Sequence, residues 1–431
     1  MNELTFTDIH AFQILDSRGY PTLRVRLTSS NGTWETASAP SGASTGAHEA
    51  VELRDSGSLY SGRGVETAVA GINTSIRELL LSRTWPSQRS VDTALCELDG
   101  TADKSRLGAN AVVAVSMSSA RAFATFSGQE LHAWIGNSLG QPERLPVPHF
   151  NVLNGGAHAP NPLAFQEFMI APTGAPTLPE AIRWGSEIYH ALGLTLRQKG
   201  LSTGLGDEGG YAPEISRPEE ALELITAAIT DAGYVTGPSG VTIALDPAAN
   251  YFYHEGSYDL NGRSYNPSQL TKYYEGLISD YPIRSLEDPL AEDDPYGWPE
   301  LTALLGSRVQ VVGDDLFVTN PDRVRKGIQE AAANSVLIKP NQIGTVTETL
   351  DTLTIAEQGG FTAMVSHRSG ETEDTFVADL AVGSGCGQLK SGAPARGERV
   401  AKYNRLLEIA DAFPALPYGL VEKFSKDRGT S

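Results

Sequence analysis

A chain of 431 residues is too long for one small core and fits two or three domains, or one barrel with a smaller module. Its 33 Lys and Arg against 52 Asp and Glu leave a formal net charge of -19, which argues against nucleic-acid or anionic-membrane partners, since both need clustered cations. Only Cys96 and Cys386 occur, far apart and without CxxC spacing, so neither a disulfide framework nor a thiolate metal site is expected.

The opening stretch "MNELTFTDIH" is acidic and lacks the apolar centre of a signal peptide, and no apolar run nears the ~20 residues of a membrane span, so a cytoplasmic protein is expected. "FTDIHAFQILDS", "PTLRVRLTSSNG" and "GTWETASAP" read as strands and turns. From Gly64 to Ser127 the pattern turns helical, with "VETAVAGINTSIRELLLS" amphipathic and "GANAVVAVSMSSARAFATFSG" rich in alanine. Strands followed by helices predict a compact α+β module over residues 1–140. Within it, "PSGASTGAHEA" is either a plain linker or a small-residue loop suited to closing over a ligand. The segment "GQPERLPVP", with three prolines in nine residues, marks the boundary to a second domain over 146–431.

Beyond Pro148 short apolar runs alternate with helical stretches, and each run ends in charge. "VTIALD" ends at Asp246, "IRSLE" at Glu287, "VQVVGD" at Asp314, "SVLIK" at Lys339, "TAMVSHR" at His367 and Arg368, and "CGQLK" at Lys390. The intervals from Asp246 onward are 41, 27, 25, 28 and 23 residues, one strand-plus-helix unit each after the first, which holds a hairpin-like insertion at "GSYDLNGRSY". Strand ends that converge in this way predict a parallel βα barrel with its site at the C-terminal face.

Asp246, Glu287 and Asp314 then meet as oxygen donors without cysteine, a set that favours Mg²⁺ over zinc. Asp288 and Asp315, next to them, fit as caps near helix N-termini. Lys339 and Lys390 reach the same mouth, either to pair with these acids or, pushed toward the neutral form by a divalent cation, to take a proton. "SHRSGET" offers an arginine and serines suited to a phosphate. "NVLNGGAHAPN" carries His158 and "FQEFM" carries Glu167, residues with structural or catalytic readings alike. "TGLGDEGGYAP" sets Asp207 and Glu208 among four glycines, as a solvated turn or as acids facing the cations of the mouth, with Glu208 a proton donor opposite a lysine base.

"DSRGYPT", "PSGASTGAHEA", "LGANAVVAVS", "NVLNGGAHA", "QEFMI", "GDEGGYAP", "ALDPAANYFY", "LEDPLAEDD", "VGDDLFVTN", "LIKPNQIGT", "SHRSGETEDTFVADLAVG" and "KSGAPARGERVAKYNRLLEI" cover nearly the whole chain and resemble the enolase family, motif by motif and in order. The resemblance implies an α/β fold, an enolase-type (β/α)8 barrel behind an α+β capping domain, and usually a homodimer. It implies two Mg²⁺ ions, the first held by Asp246, Glu287 and Asp314 and the second reached by Ser44. It further implies Lys339 as general base at C2, and Glu208, with Glu167 beside it, as the acid for the C3 hydroxyl. Lys390 holds the substrate carboxylate, Arg368 and Ser369 the phosphate, and His158 and His367 line the pocket. The implied substrate is a small phosphorylated carboxylate, 2-phosphoglycerate, dehydrated to phosphoenolpyruvate. The chain departs from the family pattern at Tyr20, at Asn250–Tyr251, at Pro295 and at Pro340, and "RDSGSLYSGRGV" is shorter and less basic than usual. These changes leave open an enolase-like carboxyphosphonoenolpyruvate synthase acting on a larger phosphonate. A non-catalytic relative predicts loss of a metal ligand or lysine, and none is lost.

Overall fold

The computed structural model describes residues 3–43 and 46–421. β1 (Phe6–Leu15) and β2 (Pro21–Ser29) pair antiparallel, and β3 (Trp34–Ser38) adds to β2 to complete a three-stranded sheet. Alternation buries Ile9, Ala11, Leu23, Val25 and Leu27, and the helix Ala109–Phe126, itself almost wholly buried, packs on β2 and β3. The predicted amphipathic helix is a run of three segments, Glu66–Gly71, Ile72–Ile76 and Arg77–Leu81, whose middle turn is a π-helix. In that turn Asn73 donates Nδ2 to the Ala11 carbonyl at 2.9 Å and accepts the Ala11 N–H at 2.8 Å. A side chain thereby occupies backbone groups of the edge strand β1.

The second layer is a closed eight-stranded barrel. Its strands are β4 (Val147–Asn154), β5 (Glu167–Ala171), β6 (Thr242–Asp246) and, after the insertion, β10 (Ile283–Glu287), β11 (Gln310–Gly313), β12 (Ser335–Ile338), β13 (Thr362–Ser366) and β14 (Gln388–Lys390). The insertion is a small antiparallel sheet of β7 (Tyr253–His254), β8 (Ser257–Leu260) and β9 (Arg263–Tyr265), where the hairpin was expected.

The barrel is not parallel throughout. β5 runs antiparallel to both β4 and β6, while the remaining pairs are parallel and β14 closes onto β4. The link from β4 to β5 holds a single 3-10 turn, Gly156–His158, and no crossover helix, so β5 can only return antiparallel. Two helices, Leu178–Gln198 and Pro218–Asp231, then carry the chain back to β6. The consequence for function is that β5 presents its first residue, Glu167, where the other strands present their last.

The cap is docked on the barrel through buried polar groups. Arg121 grips both oxygens of Asp374 at 2.9 and 2.7 Å, and Asp374 also accepts the Ser38 N–H at 2.9 Å. Ser41 and Gly370 exchange two backbone hydrogen bonds of 2.7 and 2.8 Å. Asp92 accepts the Thr347 N–H and Ser116 Oγ accepts the Val346 N–H, at 2.9 and 2.8 Å. These contacts set the cap against the loops that follow β12 and β13.

Candidate active site

All six charged strand ends expected from the sequence reach the barrel mouth. Lys390 Nζ lies 2.7 Å from Glu287 Oε1, 3.4 Å from Asp246 Oδ2 and 3.1 Å from Glu167 Oε1. Lys339 Nζ lies 2.6 Å from Asp314 Oδ2. Of the three expected metal ligands, Asp246 and Glu287 therefore share one amine and Asp314 turns to the other. Burial lowers the proton affinity of Lys339, but Asp314 outweighs it, so the amine is held protonated against its partner. Ser44 lies outside the described residues.

The strand ends are held by strained turns. Ala248 and Asp288, just past β6 and β10, have φ of 48° and 39°, costing on the order of 1–3 kcal/mol each. At Ala248 the curl aims its N–H at Asp246 Oδ1, 2.9 Å away. Asp288 accepts the N–H groups of Asp314 and Asp315, both at 2.8 Å, and so staples the end of β10 to that of β11. The expected helix-capping roles are thus corrected: the next helix begins at Gly297, and Asp315 accepts from Asn250 Nδ2 at 2.9 Å.

Three of the four glycines around Asp207 and Glu208, Gly206, Gly209 and Gly210, admit the loop close against the protein's own chain. A Cβ on Gly210 would stand 2.5 Å from Asn154 Oδ1 and 2.8 Å from the Asn151 carbonyl, and Gly209, at φ +85°, passes as close to Ala395. The loop buries Glu208, whose Oε2 accepts Asn151 Nδ2 at 2.9 Å and lies 3.2 Å from His367 Nε2. Arg399 Nη1 donates to His367 Nδ1 at 2.5 Å; since a guanidinium only donates, Nε2 carries the imidazole proton, close to Glu208 but without a hydrogen bond to it among the described residues. His158 Nδ1 lies 3.7 Å from both Glu167 and Glu208, and its Nε2 lies 3.1 Å from Ser369 Oγ.

Burial pushes the His367 imidazole down to about 4 and lowers His158 as well, against the opposing pull of Glu208 on both rings. The two glutamates are driven apart. Burial and the neighbouring Glu208 hold Glu167 well above the usual carboxylate range. Burial acts likewise on Glu208, but His367 and His158 outweigh it and hold Glu208 well below that range. The pair titrates as a unit, and the two shifts favour the proton on Glu167 over Glu208.

Arg368, after β13, is gripped by Glu49 of the cap at 2.8 and 3.1 Å, and both side chains are buried. Ser369 follows it and is buried beside His158. Of the sequence departures, Asn250 bridges Asp315 and the Glu292 N–H, Tyr20 stacks under the Arg63 guanidinium at 4.2 Å, and Pro340 opens the short helix Pro340–Ile343.

The mouth sets six buried acids, Glu167, Glu208, Asp246, Glu287, Asp288 and Asp314, against the two lysines. Burial raises Glu287 and Asp288 well above their usual range, with Asp246 next for Glu287 and Asp315 next for Asp288. Glu167 Oε2 and Gln166 Oε1 have no hydrogen-bond partner among the described residues. Two groups of three donors lie within 4.8 Å of one another: His158, Glu167 and Glu208, and Asp288, Asp314 and Asp315. A surplus of hard oxygen donors with unmet charge fits a divalent cation such as Mg²⁺.

Sequence reasoning passed over Asn151, Gln166, Glu49 and Arg399. Gln166 donates to Asp246 Oδ2 at 3.3 Å, yet an amide beside a glutamate carries no pattern of its own. Arg399 sits in the helix Gly397–Ala412, which looks like any charged surface helix until it packs on the helices Leu178–Gln198 and Phe376–Gly383 and sends Arg399 to His367 and the residues after it.

The chain matches two family models, the enolase N-terminal domain over residues 6–135 and the enolase C-terminal TIM barrel domain over residues 142–418. Together they span the cap and the barrel whose mouth gathers these acids and amines, and the protein belongs to the enolase family.

Proposed function

We propose that this enolase-family lyase dehydrates 2-phospho-D-glycerate to phosphoenolpyruvate. The observation that carries the reading is the separation of the two proton-handling groups. Lys339 stands at the end of β12 against Asp314, and the Glu167–Glu208 pair stands beside β4 and β5, at least three strands away round the barrel. A substrate between them meets a base on one side and an acid on the other.

On this reading Lys339 first gives up its own proton and then, as the neutral amine, takes the proton from C2. The C2–H bond breaks, the C2–C3 double bond forms, and the C3 hydroxyl leaves as water with the proton of the Glu167–Glu208 pair. His367 steadies Glu208 through that transfer, its tautomer fixed by Arg399. Lys390 orients the substrate carboxylate. Arg368 and Ser369 take the phosphate, which must share or replace Glu49 at the guanidinium. Asp246, Glu287 and Asp314 would hold one Mg²⁺ and Ser44 would reach a second, and these ions would supply positive charge against the negative charge that builds on the substrate carboxylate.

The same reading includes a homodimer in a reducing cytoplasm. Phe12, Leu15, Leu59 and Tyr60 are exposed on the cap, and Gln13 donates to the Tyr60 hydroxyl at 3.2 Å, which brings β1 and that loop into one patch. Light scattering on the purified protein measures the mass. Both cysteines are free, and no helix among the described residues is long and apolar enough to cross a membrane.

The test is to mix pure protein with 2-phosphoglycerate and Mg²⁺ and follow phosphoenolpyruvate absorbance. Turnover that vanishes in Lys339→Ala supports the reading. Silence with intact Mg²⁺ binding overturns it and favours the larger phosphonate substrate.

A further inference from the structure

Val318 and Thr319, just past β11, have φ of 45° and 55°, two consecutive β-branched residues in the left-handed region. Such a pair persists only where its surroundings over-determine it. What the conformation aims is the buried Thr319 hydroxyl. Oγ1 accepts the Lys339 N–H at 2.9 Å and donates to Gln342 Oε1 at 2.7 Å. Gln342, also buried, turns Nε2 to Asp314 Oδ1 at 2.8 Å and, at 3.4 Å, to Glu49 Oε1. The other Asp314 oxygen takes the Lys339 amine.

The contacts close a ring that begins at the main chain of Lys339 and ends at its side chain. The main-chain N–H and the ammonium only donate and the carboxylate only accepts, so the amide has a single orientation, and the hydroxyl, which also lies 3.4 Å from the Leu337 carbonyl, donates to the nearer Gln342 oxygen at 2.7 Å. Pro340 stiffens the short arc between Lys339 and Gln342. Its ring fixes φ and confines Lys339 to the extended conformation it adopts, φ -129° and ψ 103°.

We propose that Thr319 and Gln342 are positioning residues, which hold Asp314 in one rotamer and so set the aim of the Lys339 amine and the geometry of Asp314 as a metal donor. The first consequence rests on the proposed function; the second does not. Partners of this kind typically change metal affinity or activity by about 10–100-fold when removed.

The experiment uses Gln342→Met and Thr319→Val, both near-isosteric, with thermal melts to establish folding. Mn²⁺ binding without substrate is read from its electron paramagnetic resonance signal. With 2-phosphoglycerate, kcat, KM and the exchange of the C2 hydrogen in D2O are measured in parallel. Folded Gln342→Met is expected to bind Mn²⁺ about 10-fold more weakly. Both variants should lose about 10–100-fold in kcat and in C2 exchange together, with KM within about 3-fold. Should Gln342→Met fail to fold, Thr319→Val carries the test. Unchanged Mn²⁺ affinity and kcat in folded variants, or a change confined to KM, overturns the proposal. If the wild type does not turn over 2-phosphoglycerate, the proposed function fails, and the Mn²⁺ comparison alone decides this inference.

Discussion

Glu167 and Asp246 face each other in register on antiparallel strands, the first residue of β5 opposite the last of β6. The reversal of one strand adds a carboxylic acid to a mouth otherwise built from strand C-termini. Because burial and Glu208 hold the Glu167 carboxyl well above its usual range, glutamine is close to an isostere of the form they favour. Glu167→Gln is expected to change stability by no more than about 1 kcal/mol and to lower kcat by about 10²–10⁴-fold. Thermal melts beside the phosphoenolpyruvate assay check both, and a variant of full activity would remove Glu167 from the proton path.

Much of this mouth is legible in the sequence. A charged residue closing an apolar run is a strong sign when six recur at barrel spacing, and Asp246, Glu287, Asp314, Lys339, His367 and Lys390 all stand at the mouth. The direction of β5 is not legible, since "FQEFMIA" is an apolar run whichever way it points; only the missing crossover helix between Asn154 and Glu167 encodes it. Nor are the strained turns. Val318 and Thr319 adopt left-handed backbone that β-branched residues disfavour, because tertiary hydrogen bonds override local preference.

Metal dependence follows from the surplus of carboxylates. Adding MgCl2 is expected to raise the melting temperature, by an increment corresponding to about 2.7 kcal/mol when free Mg²⁺ is 100 times its dissociation constant. EDTA should reverse it. In Glu287→Gln that gain should be lost, while without Mg²⁺ the variant should stay within about 1 kcal/mol of wild type, because burial and Asp246 already disfavour the charge at this position. Scanning calorimetry with and without Mg²⁺ gives both numbers; an equal Mg²⁺ shift in the two proteins would take Glu287 out of the metal site.

Two glycine replacements separate close approach from chain freedom. Gly210→Ala puts a methyl group 2.5 Å from Asn154 Oδ1 and beside Asn151, which holds Glu208, so at least about a 10-fold loss of kcat is expected with a lowered melting temperature. Gly276, in the helix Pro267–Asp280, has open space where a Cβ would go, and Gly276→Ala is expected to gain about 0.5–1 kcal/mol at unchanged kcat. Equal effects of the two substitutions would show that the Glu208 loop tolerates displacement.

The Arg121–Asp374 pair predicts how the cap responds to acid. Burial raises the Asp374 carboxyl, but Arg121 outweighs it, so its folded value lies below the ordinary 3.8. A carboxylate depressed on folding stabilises fully above its unfolded value, and that contribution fades as pH falls from about 3.8 through the folded one. Asp374→Asn leaves Arg121 buried without its counter-charge and is expected to cost about 3–5 kcal/mol at neutral pH. The difference between wild type and variant should then shrink as pH drops below about 4. Denaturant unfolding at a series of pH values from 6 to 3 measures that difference. A gap that stays constant to pH 3 would mean that the charge of Asp374 contributes nothing to docking the cap, leaving the seam to Ser41–Gly370 and to the Asp92 and Ser116 contacts.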